Sequence, residues 1–409
     1  MLLENIWLFF IVMIGVAAAA RLAPFLGERL RIVAAIAVLL GFLCWAPFVL
    51  DDFRTLQLAN IGIWIVVAMG LNILTGYNGQ ISLGHGALVG LGAYTSAILL
   101  DNSEQLAFVD GTPWPFWLTI VVAGIVTAVA GLLLGVPALR LSGPYLAIAT
   151  LALAISFPTV MRKYDGLTGG SEGIRPSPLQ PPGFLDGVLD RGEWLYFLSL
   201  ITAILMLLLA WAILRGPLGR AFVAVRDSEV AAEAVGINIA RTKVTAFTIS
   251  AFYAGIAGGL YTQIVGFVSP DAISIFQSIN VLAAVVIGGL ASILGSVIGG
   301  AAVIFLPSDG PDLVGQIPGL NVDIVKRSPG AIQVAIVVLT IILLPTGVAG
   351  TLERLRHVRP EAVLASVRAA PGRALDRAAT ARERLGGLRE ERRRSRSDAD
   401  GDDAEGGSP

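Results

Sequence analysis

The chain has 409 residues, of which 55% are hydrophobic and only 14% are charged. Soluble domains carry about 25% charged residues, so this composition excludes a large soluble core and favours a membrane protein. The formal net charge of −1 says little, because the two ends of the chain differ in charge.

Apolar runs of about 20 residues recur along the chain, and each is long enough to cross a bilayer as a helix. We therefore expect an all-α, polytopic membrane protein with about ten hydrophobic segments. The first run is counted as a span because Glu4, and no basic residue, precedes it, unlike a signal peptide. The segments are 5–20, 31–50, 57–75, 80–100, 115–136, 143–161, 194–215, 244–266, 278–306 and 331–350.

Cys44 is the single cysteine and lies within an apolar run. One cysteine excludes an internal disulfide and a metal cluster built on cysteines. We expect a buried, unreactive thiol at this position.

Basic residues predict how the spans are oriented, because loops rich in Lys and Arg stay in the cytoplasm. The turn from Arg21 to Arg31 holds three arginines, so we expect it inside and the N-terminus outside. Strict alternation then places 162–193 outside and the charged island 216–243 inside. The same alternation puts 101–114 outside, Arg140 inside and 267–277 outside.

The segment 278–306 breaks this alternation if it crosses once, because the arginine-rich tail would then end outside. Gly288 and Gly289 lie near its middle. We expect a half-helix that enters from outside, a turn at these two glycines and a helix that returns, as is tolerated where protein buries irregular backbone. This places 307–330 outside and the C-terminus in the cytoplasm.

A short internal echo supports helices broken at glycine. Residues 82–90 resemble residues 287–295, with two glycines in matching places. Duplicated, broken helices around a central pathway are common in transporters.

The composition divides the chain into a transmembrane permease domain, 1–352, and a charged tail, 353–409. The tail holds 13 arginines and 11 acidic residues. We expect it to be cytoplasmic and largely disordered, since it has too little apolar surface to fold. The neighbouring acids cancel the field of the arginines, so we expect no nucleic-acid binding.

The island 216–243 is charged and helix-forming between two long apolar runs, which suggests a cytoplasmic loop where another protein docks. Asp227 or Ser228 can cap a helix, Glu229 suits its N-terminus, and Gly236 can end it. Small residues give this helix a face that could enter a groove: Ala231, Ala232 and Ala234. An ordinary amphipathic connector fits these features equally well.

Motifs for chemistry are absent from the sequence. None of the three lysines follows a glycine, so there is no phosphate-binding loop of the Walker type. Neither catalytic residues nor a cofactor or metal site is predicted. An ion-coupled secondary transporter is the alternative class, but it needs acidic or proton-relay residues that the spans lack. A membrane scaffold without transport is a third.

Polar residues within the spans are candidates for lining a solute pathway. His85 could relay protons, line the pathway or form a packing hydrogen bond, and we favour the last two. The candidate pathway residues are Asn72, Gln80, His85, Tyr94 and Asn280.

Ordered sequence blocks over about residues 57–350 resemble the permeases of branched-chain amino acid importers of the ATP-binding-cassette class, specifically the LivM type. One block reads GLNILTGYNGQISLGHGA at 70–87, and another runs from Gly219-Arg-Ala to Ala231-Ala-Glu-Ala-Val-Gly-Ile-Asn238. The others are GPYLAIATL at 143–151, LTGGSEGI at 167–174, GFVSP at 266–270 and VIGGLAS at 286–292.

The resemblance implies a non-enzymatic translocation subunit in the bacterial inner membrane. It implies a LivH-like permease partner, two cytoplasmic ATPase subunits and an extracytoplasmic solute-binding protein. The solute would be a branched-chain amino acid or a related small polar molecule. Coupling to the ATPase is expected from Arg226, Glu229, Ala231, Ala232, Glu233 and Gly236.

The island departs from the family's Glu-Ala-Ala-x-x-x-Gly motif in one place. Val230 occupies the glutamate position, and Glu229 stands one residue early. This leaves open whether Glu229 contacts the partner.

Overall fold

The computed structural model describes residues 28–101, 114–139, 144–183, 185, 187–272, 275–308 and 347–351. The predicted segment 5–20, most of 331–350 and the tail lie outside these ranges. Within them the chain is helical, with one isolated antiparallel bridge between Ile174 and Val268. The predicted all-α class is confirmed.

Twelve helices and two short irregular turns follow one another from Glu28 to Ser308, and the described residues 347–351 are also helical. A 3₁₀ turn covers Ala46–Phe48, and a π-helical turn covers Asn72–Tyr77. The helices are α1 Glu28–Trp45, α2 Asp52–Leu71, α3 His85–Asp101, α4 Phe116–Ala138, α5 Pro144–Lys163, α6 Asp165–Thr168, α7 Arg191–Arg215, α8 Pro217–Asp227, α9 Glu229–Ala234, α10 Ile239–Val265, α11 Ile275–Gly288 and α12 Ile293–Ser308.

Five apolar helices in the described ranges are long enough to cross a membrane. They are Asp52–Tyr77, Phe116–Pro137, Tyr145–Lys163, Arg191–Arg215 and Ile239–Val265. Val33–Phe48, Ile275–Gly288 and Ile293–Phe305 are shorter apolar helices. These helices make the chain a multi-pass membrane protein.

The bundle has two ends, which we call the loop end and the far end. The loop end carries residues 216–238, which join α7 to α10, and the far end carries the start of α7. Ser199 Oγ donates a 2.6 Å hydrogen bond to the carbonyl of Ala59. Further along both helices, Tyr253, which lies beside Gly70, donates to the carbonyl of Met206. The two contacts show that α2 and α7 run in the same direction. Residues 72–77 therefore reach the loop end.

Residues 162–193 and 216–243, predicted on opposite sides of the membrane, lie at opposite ends of the bundle. Arg162, which begins the first of these segments, forms an ion pair with Asp271 at the far end. Which end faces the cytoplasm stays a prediction.

The broken element predicted for 278–306 is confirmed. Helix α11 ends at Gly288, and α12 begins after a tight turn at 289–292 in which Gly289 has a φ of 115°. Helix α12 then runs antiparallel to α2. Asn72 bonds Ser296 near the loop end, and Gln57 bonds Ser308 at the far end, each at 2.8 Å.

The boundary of the fourth predicted segment is corrected. It was expected to be helical from residue 80, but α3 begins at His85. Residues 78–84 are irregular and lie against α5, where Leu83 N donates to Thr150 Oγ1 at 2.9 Å. The two echo segments each contain the start of a helix, α3 in one and α12 in the other.

Helices α3, α4 and α10 approach one another at glycines. A β-carbon added at Gly92 would lie 2.6 Å from the Cα of Gly255. A β-carbon added at Gly255 would lie 2.5 Å from the carbonyl oxygen of Ala123. Close backbone approach is how small residues stabilise helix pairs in a bilayer.

The expectation of a buried Cys44 is wrong. Its side chain is exposed on the surface of α1. An apolar run in a membrane protein marks surface that avoids water, and lipid satisfies that requirement as well as the protein core does.

Candidate functional site

The loop 216–238 folds as two short helices, α8 and α9. Ser228 is the N-cap of α9, and its side chain accepts a hydrogen bond from Ala231 N at 3.3 Å. Gly236 follows the helix with a φ of 85°, a conformation that glycine adopts without strain. The sequence-based prediction of the cap and of the terminal glycine is therefore correct.

Helix α9 and the residue that follows it each expose a valine. Val230 is 81% exposed and Val235 is 76% exposed. Neither valine is covered by the described part of the chain. Ala231, Glu233 and Gly236 are also exposed.

Ala232 faces the other way. It is 2% exposed, because it packs against its own chain. The alanines expected to form one small face therefore point to different sides: Ala231 and Ala234 are exposed, whereas Ala232 packs α9 against the rest of the chain. The sequence analysis did not select the two exposed valines as coupling residues.

Glu229 forms an ion pair with another residue of the same chain. Its carboxylate accepts a 2.7 Å bond from the Lys243 ammonium, at the start of α10. The pair ties α9 to a membrane-spanning helix. Such a partly exposed ion pair contributes little stability, so its main effect is on the position of α9.

The side chain of Arg226, near the end of α8, extends into the bundle. Its Nη1 donates to the carbonyl of Gly76 at 3.0 Å, while its Nε donates to Asp227 at 3.0 Å. A β-carbon at Gly79 would lie 2.9 Å from Arg226 Cγ, so the arginine stem packs closely on this segment. Of the expected coupling residues, Arg226 is the one that contacts the membrane-spanning part beyond α10.

Asn72 lies beside Gly76 in the π-helical turn and is fully buried. Its Nδ2 donates to the carbonyl of Ser292 and to Ser296 Oγ, each at 2.8 Å. Its Oδ1 accepts from Ala291 N at 2.9 Å. We call these three bonds the asparagine clamp, and they fix the turn between α11 and α12.

The other pathway candidates lie apart from the clamp. Gln80 Nε2 donates to Asn78 Oδ1 at 2.6 Å and to the carbonyl of Lys243 at 3.1 Å. Tyr94 is 2% exposed, and its hydroxyl has no partner among the described residues. Asn280 is partly buried on α11.

His85 is fully buried where α3 begins. Neither ring nitrogen completes a hydrogen bond of standard geometry with the described residues, although the backbone of Val67 lies close. A β-carbon at Gly70 would lie 3.4 Å from His85 Nε2 and 3.0 Å from the carbonyl of Ser250. Buried polar groups without partners are uncommon and often mark a site of function or of bound water.

Several residues at the site carried no signal of their own in the sequence. Gly76, Ala291, Ser292, Ser296 and Lys243 are ordinary residue types within or beside apolar runs. Their importance depends on contacts between residues 150 or more positions apart, such as Arg226 with Gly76, which periodicity cannot reveal. Gly76 and the turn at 289–292 do fall within the blocks 70–87 and 286–292, and that is the signal that could have found them.

The apolar bundle, the broken helix pair α11 and α12 and the exposed loop 216–238 are typical of an α-helical membrane protein of the transport-permease class. The family described as the permease component of the branched-chain amino acid transport system matches residues 53–345. The chain belongs to this family.

Curated relatives are consistent with this assignment. The high-affinity branched-chain amino acid transport system permease protein LivM of Escherichia coli (strain K12) is 35% identical over 283 residues, covering 63% of each chain. LivH of the same organism is 25% identical over 309 residues, covering 70% of this chain and 91% of LivH. The autoinducer 2 import system permease protein LsrC of Enterobacter sp. (strain 638) is 30% identical over 250 residues, covering 60% of this chain and 66% of LsrC.

The matched region thus spans less than two thirds of the length of LivM. No solved structure matches the chain significantly.

Proposed function

We propose that this chain is the translocation subunit of an ATP-binding-cassette importer in the bacterial inner membrane. The observation that carries the proposal is the capped helix α9 at the loop end, where Val230 and the residue after the helix, Val235, are exposed. A separate ATPase subunit covers these valines and moves the helix during ATP hydrolysis. The chain itself hydrolyses no ATP.

The complete importer contains a LivH-like permease, two ATPase subunits and an extracytoplasmic solute-binding protein. The support for a permease partner is that both LivM and LivH, named as permease proteins of one kind of transport system, resemble this chain. The solute is a branched-chain amino acid or another small polar molecule. The range of solutes in the names of the relatives, which includes autoinducer 2, supports the wider class.

The pathway lies beside the irregular elements 78–84 and 289–292. Gln80, His85, Tyr94 and Asn280 are the candidates for lining it, and the missing hydrogen-bond partners of His85 and Tyr94 support their inclusion. Asn72 has its bonds within the protein, so its contribution is to hold the turn rather than to contact solute.

The loop end of the bundle lies in the cytoplasm and the far end outside, which the distribution of basic residues supports. Val188, at the far end, and Leu218, at the loop end and away from α9, are 70% and 42% exposed. On a Cys44→Ser background, a membrane-impermeant maleimide should label Val188→Cys in intact cells. It should label Leu218→Cys only after permeabilisation. The reverse pattern would overturn the predicted orientation.

Val230→Arg tests the docking of the ATPase. Burying a valine contributes about 1.5–3 kcal/mol, and about 1.4 kcal/mol corresponds to a tenfold change in affinity. We therefore expect at least a tenfold loss of ATPase subunits that co-purify with the chain. The measurement is quantitative immunoblotting of the purified complex.

Val188→Arg is the matched control, since it places the same charge on a similarly exposed valine at the far end. It should leave ATPase retention unchanged. Full retention in Val230→Arg would show that α9 is not the docking element. Ala232→Trp is unsuitable for this test, because the larger side chain would disturb packing within the chain.

A further inference from the structure

The contacts of Arg226 and Asn72 form a continuous connection from the loop to the turn of the broken element. It begins at α8, where Arg226 Nη1 binds the carbonyl of Gly76 at 3.0 Å. Gly76 lies in the same π-helical turn as Asn72, whose side chain binds the turn at 289–292. Three pieces of chain that are far apart in sequence are therefore joined by polar bonds to backbone atoms.

The middle of this connection is closely packed. A β-carbon at Gly76 would lie 2.5 Å from Ala291 N and closer still to Asn72 Oδ1. The π-helical turn and the turn at 289–292 are therefore in direct backbone contact. A displacement of Gly76 cannot be absorbed by a flexible side chain, so it must move the Ala291 backbone or break the asparagine clamp.

The end of the connection is strained. Ala291 has a φ of 58°, the one positive φ of a residue other than glycine in the described ranges. A left-handed alanine is sterically strained and persists where its surroundings hold it. The bond from Ala291 N to Asn72 Oδ1 supplies that restraint. π-Helical turns inside α-helices are also frequent at functional sites.

We propose that Arg226 and Asn72 are positioning residues that transmit movement of the loop 216–238 to the turn at 289–292. Arg226 pulls or releases Gly76, and the clamp passes that movement to Ala291 and so to α11 and α12. Neither residue contacts ATP or solute. The inference rests on the proposed function, since it requires that an ATPase moves the loop.

A second contact runs in parallel and limits the expected effect of breaking the first. Gln80 Nε2 donates to the carbonyl of Lys243, and Lys243 pairs with Glu229. This route joins the loop to the irregular segment 78–84 but makes no contact with the turn at 289–292. Loss of Arg226 should therefore weaken, rather than abolish, movement of the turn.

Spin-label distances in the complete importer test the proposal, on a Cys44→Ser background. The reference label is at Trp117→Cys on α4, paired with Leu218→Cys on the loop or with Leu294→Cys on α12. All three side chains are exposed, by 56%, 42% and 69%. Both distances should change between the nucleotide-free and the vanadate-trapped states of the unaltered importer.

In Arg226→Gln, the loop distance should change as before, while the change at Leu294 should fall by at least half. The ATP hydrolysed per solute imported should rise by a similar factor, which a merely structural role would not predict. Arg226→Lys keeps one donor for Gly76 and should recover most of both values. Arg220→Gln is the matched control, since Arg220 on the same helix donates locally to Arg215 at 3.4 Å.

Three results would overturn the relay. If Leu294 moves as much in Arg226→Gln as in the unaltered importer, Arg226 does not transmit the movement. If, in the unaltered importer, the loop distance changes with nucleotide and the Leu294 distance does not, the turn at 289–292 does not receive the movement. The docking proposal would still stand in that case. If the loop itself does not move with nucleotide, the docking proposal fails and the relay fails with it.

Discussion

Asn72→Leu is expected to lower uptake at least tenfold and to reduce the thermal stability of the chain. Leucine is close in size to asparagine but cannot form the clamp. Ala291 N, the carbonyl of Ser292 and Ser296 Oγ would each lose their bond to residue 72. A buried polar group left without a partner costs about 1–3 kcal/mol. The measurements are radiolabelled uptake in cells and thermal unfolding in detergent.

Ser296→Ala is the control for this prediction. It removes one acceptor of Asn72 Nδ2 while the bonds to Ser292 and Ala291 remain. Uptake in Ser296→Ala should stay within about twofold of the unaltered chain, since one lost bond contributes about 0.5–1.5 kcal/mol. Equal effects of Ser296→Ala and Asn72→Leu would show that the clamp on Ala291 is unimportant.

Gly255→Leu is expected to prevent stable folding of the bundle. Gly255 lies where α3, α4 and α10 meet, and a β-carbon there would lie 2.5 Å from the carbonyl of Ala123 and 2.7 Å from Thr127 Cβ. Overpacking of a core commonly costs about 1–3 kcal/mol. Here the obstacle includes backbone, so we expect a loss at or above the top of that range. Fluorescence-detected gel filtration of detergent extracts measures the folded fraction.

Gly41→Leu is the matched control for Gly255→Leu. Gly41 is also within a helix, but nothing lies within 4 Å of a β-carbon added there. Its folded fraction should equal that of the unaltered chain. A normal elution profile for Gly255→Leu would mean that the three helices do not pack as closely as described.

Features that depend on nearby residues could be predicted from the sequence. Ser228 caps α9 and Gly236 follows it in a left-handed conformation, as capping chemistry requires. The break after Gly288 was predicted because a single crossing would have placed the basic tail on the wrong side. Each of these inferences uses residues within a few positions, or a charge rule that applies to whole loops.

Features that depend on which side of a helix is covered could not be predicted. Ala232 and Val230 are both apolar, yet one is buried and the other is exposed. Cys44 was misplaced for the same reason, since lipid-facing and protein-facing surfaces are both apolar. Helix periodicity is weak evidence when every face of a helix avoids water.

The polar contacts of the site were the least predictable part. Asn72 was selected for a pathway because it is polar within a span, and the structure shows its side chain bonded to a turn more than 200 residues away. The shift of the α3 start from residue 80 to His85 likewise follows from tertiary contact, where Thr150 satisfies Leu83 N. A single sequence contains no record of such pairings.

Uptake by the reconstituted importer tests the central claim most directly. The chain, its permease partner, the ATPase subunits and the solute-binding protein are placed in liposomes with radiolabelled leucine, isoleucine and valine. The account predicts uptake that requires ATP and the binding protein and that persists when proton and sodium gradients are dissipated. Uptake driven by either ion gradient without ATP would contradict it and would establish an ion-coupled transporter instead.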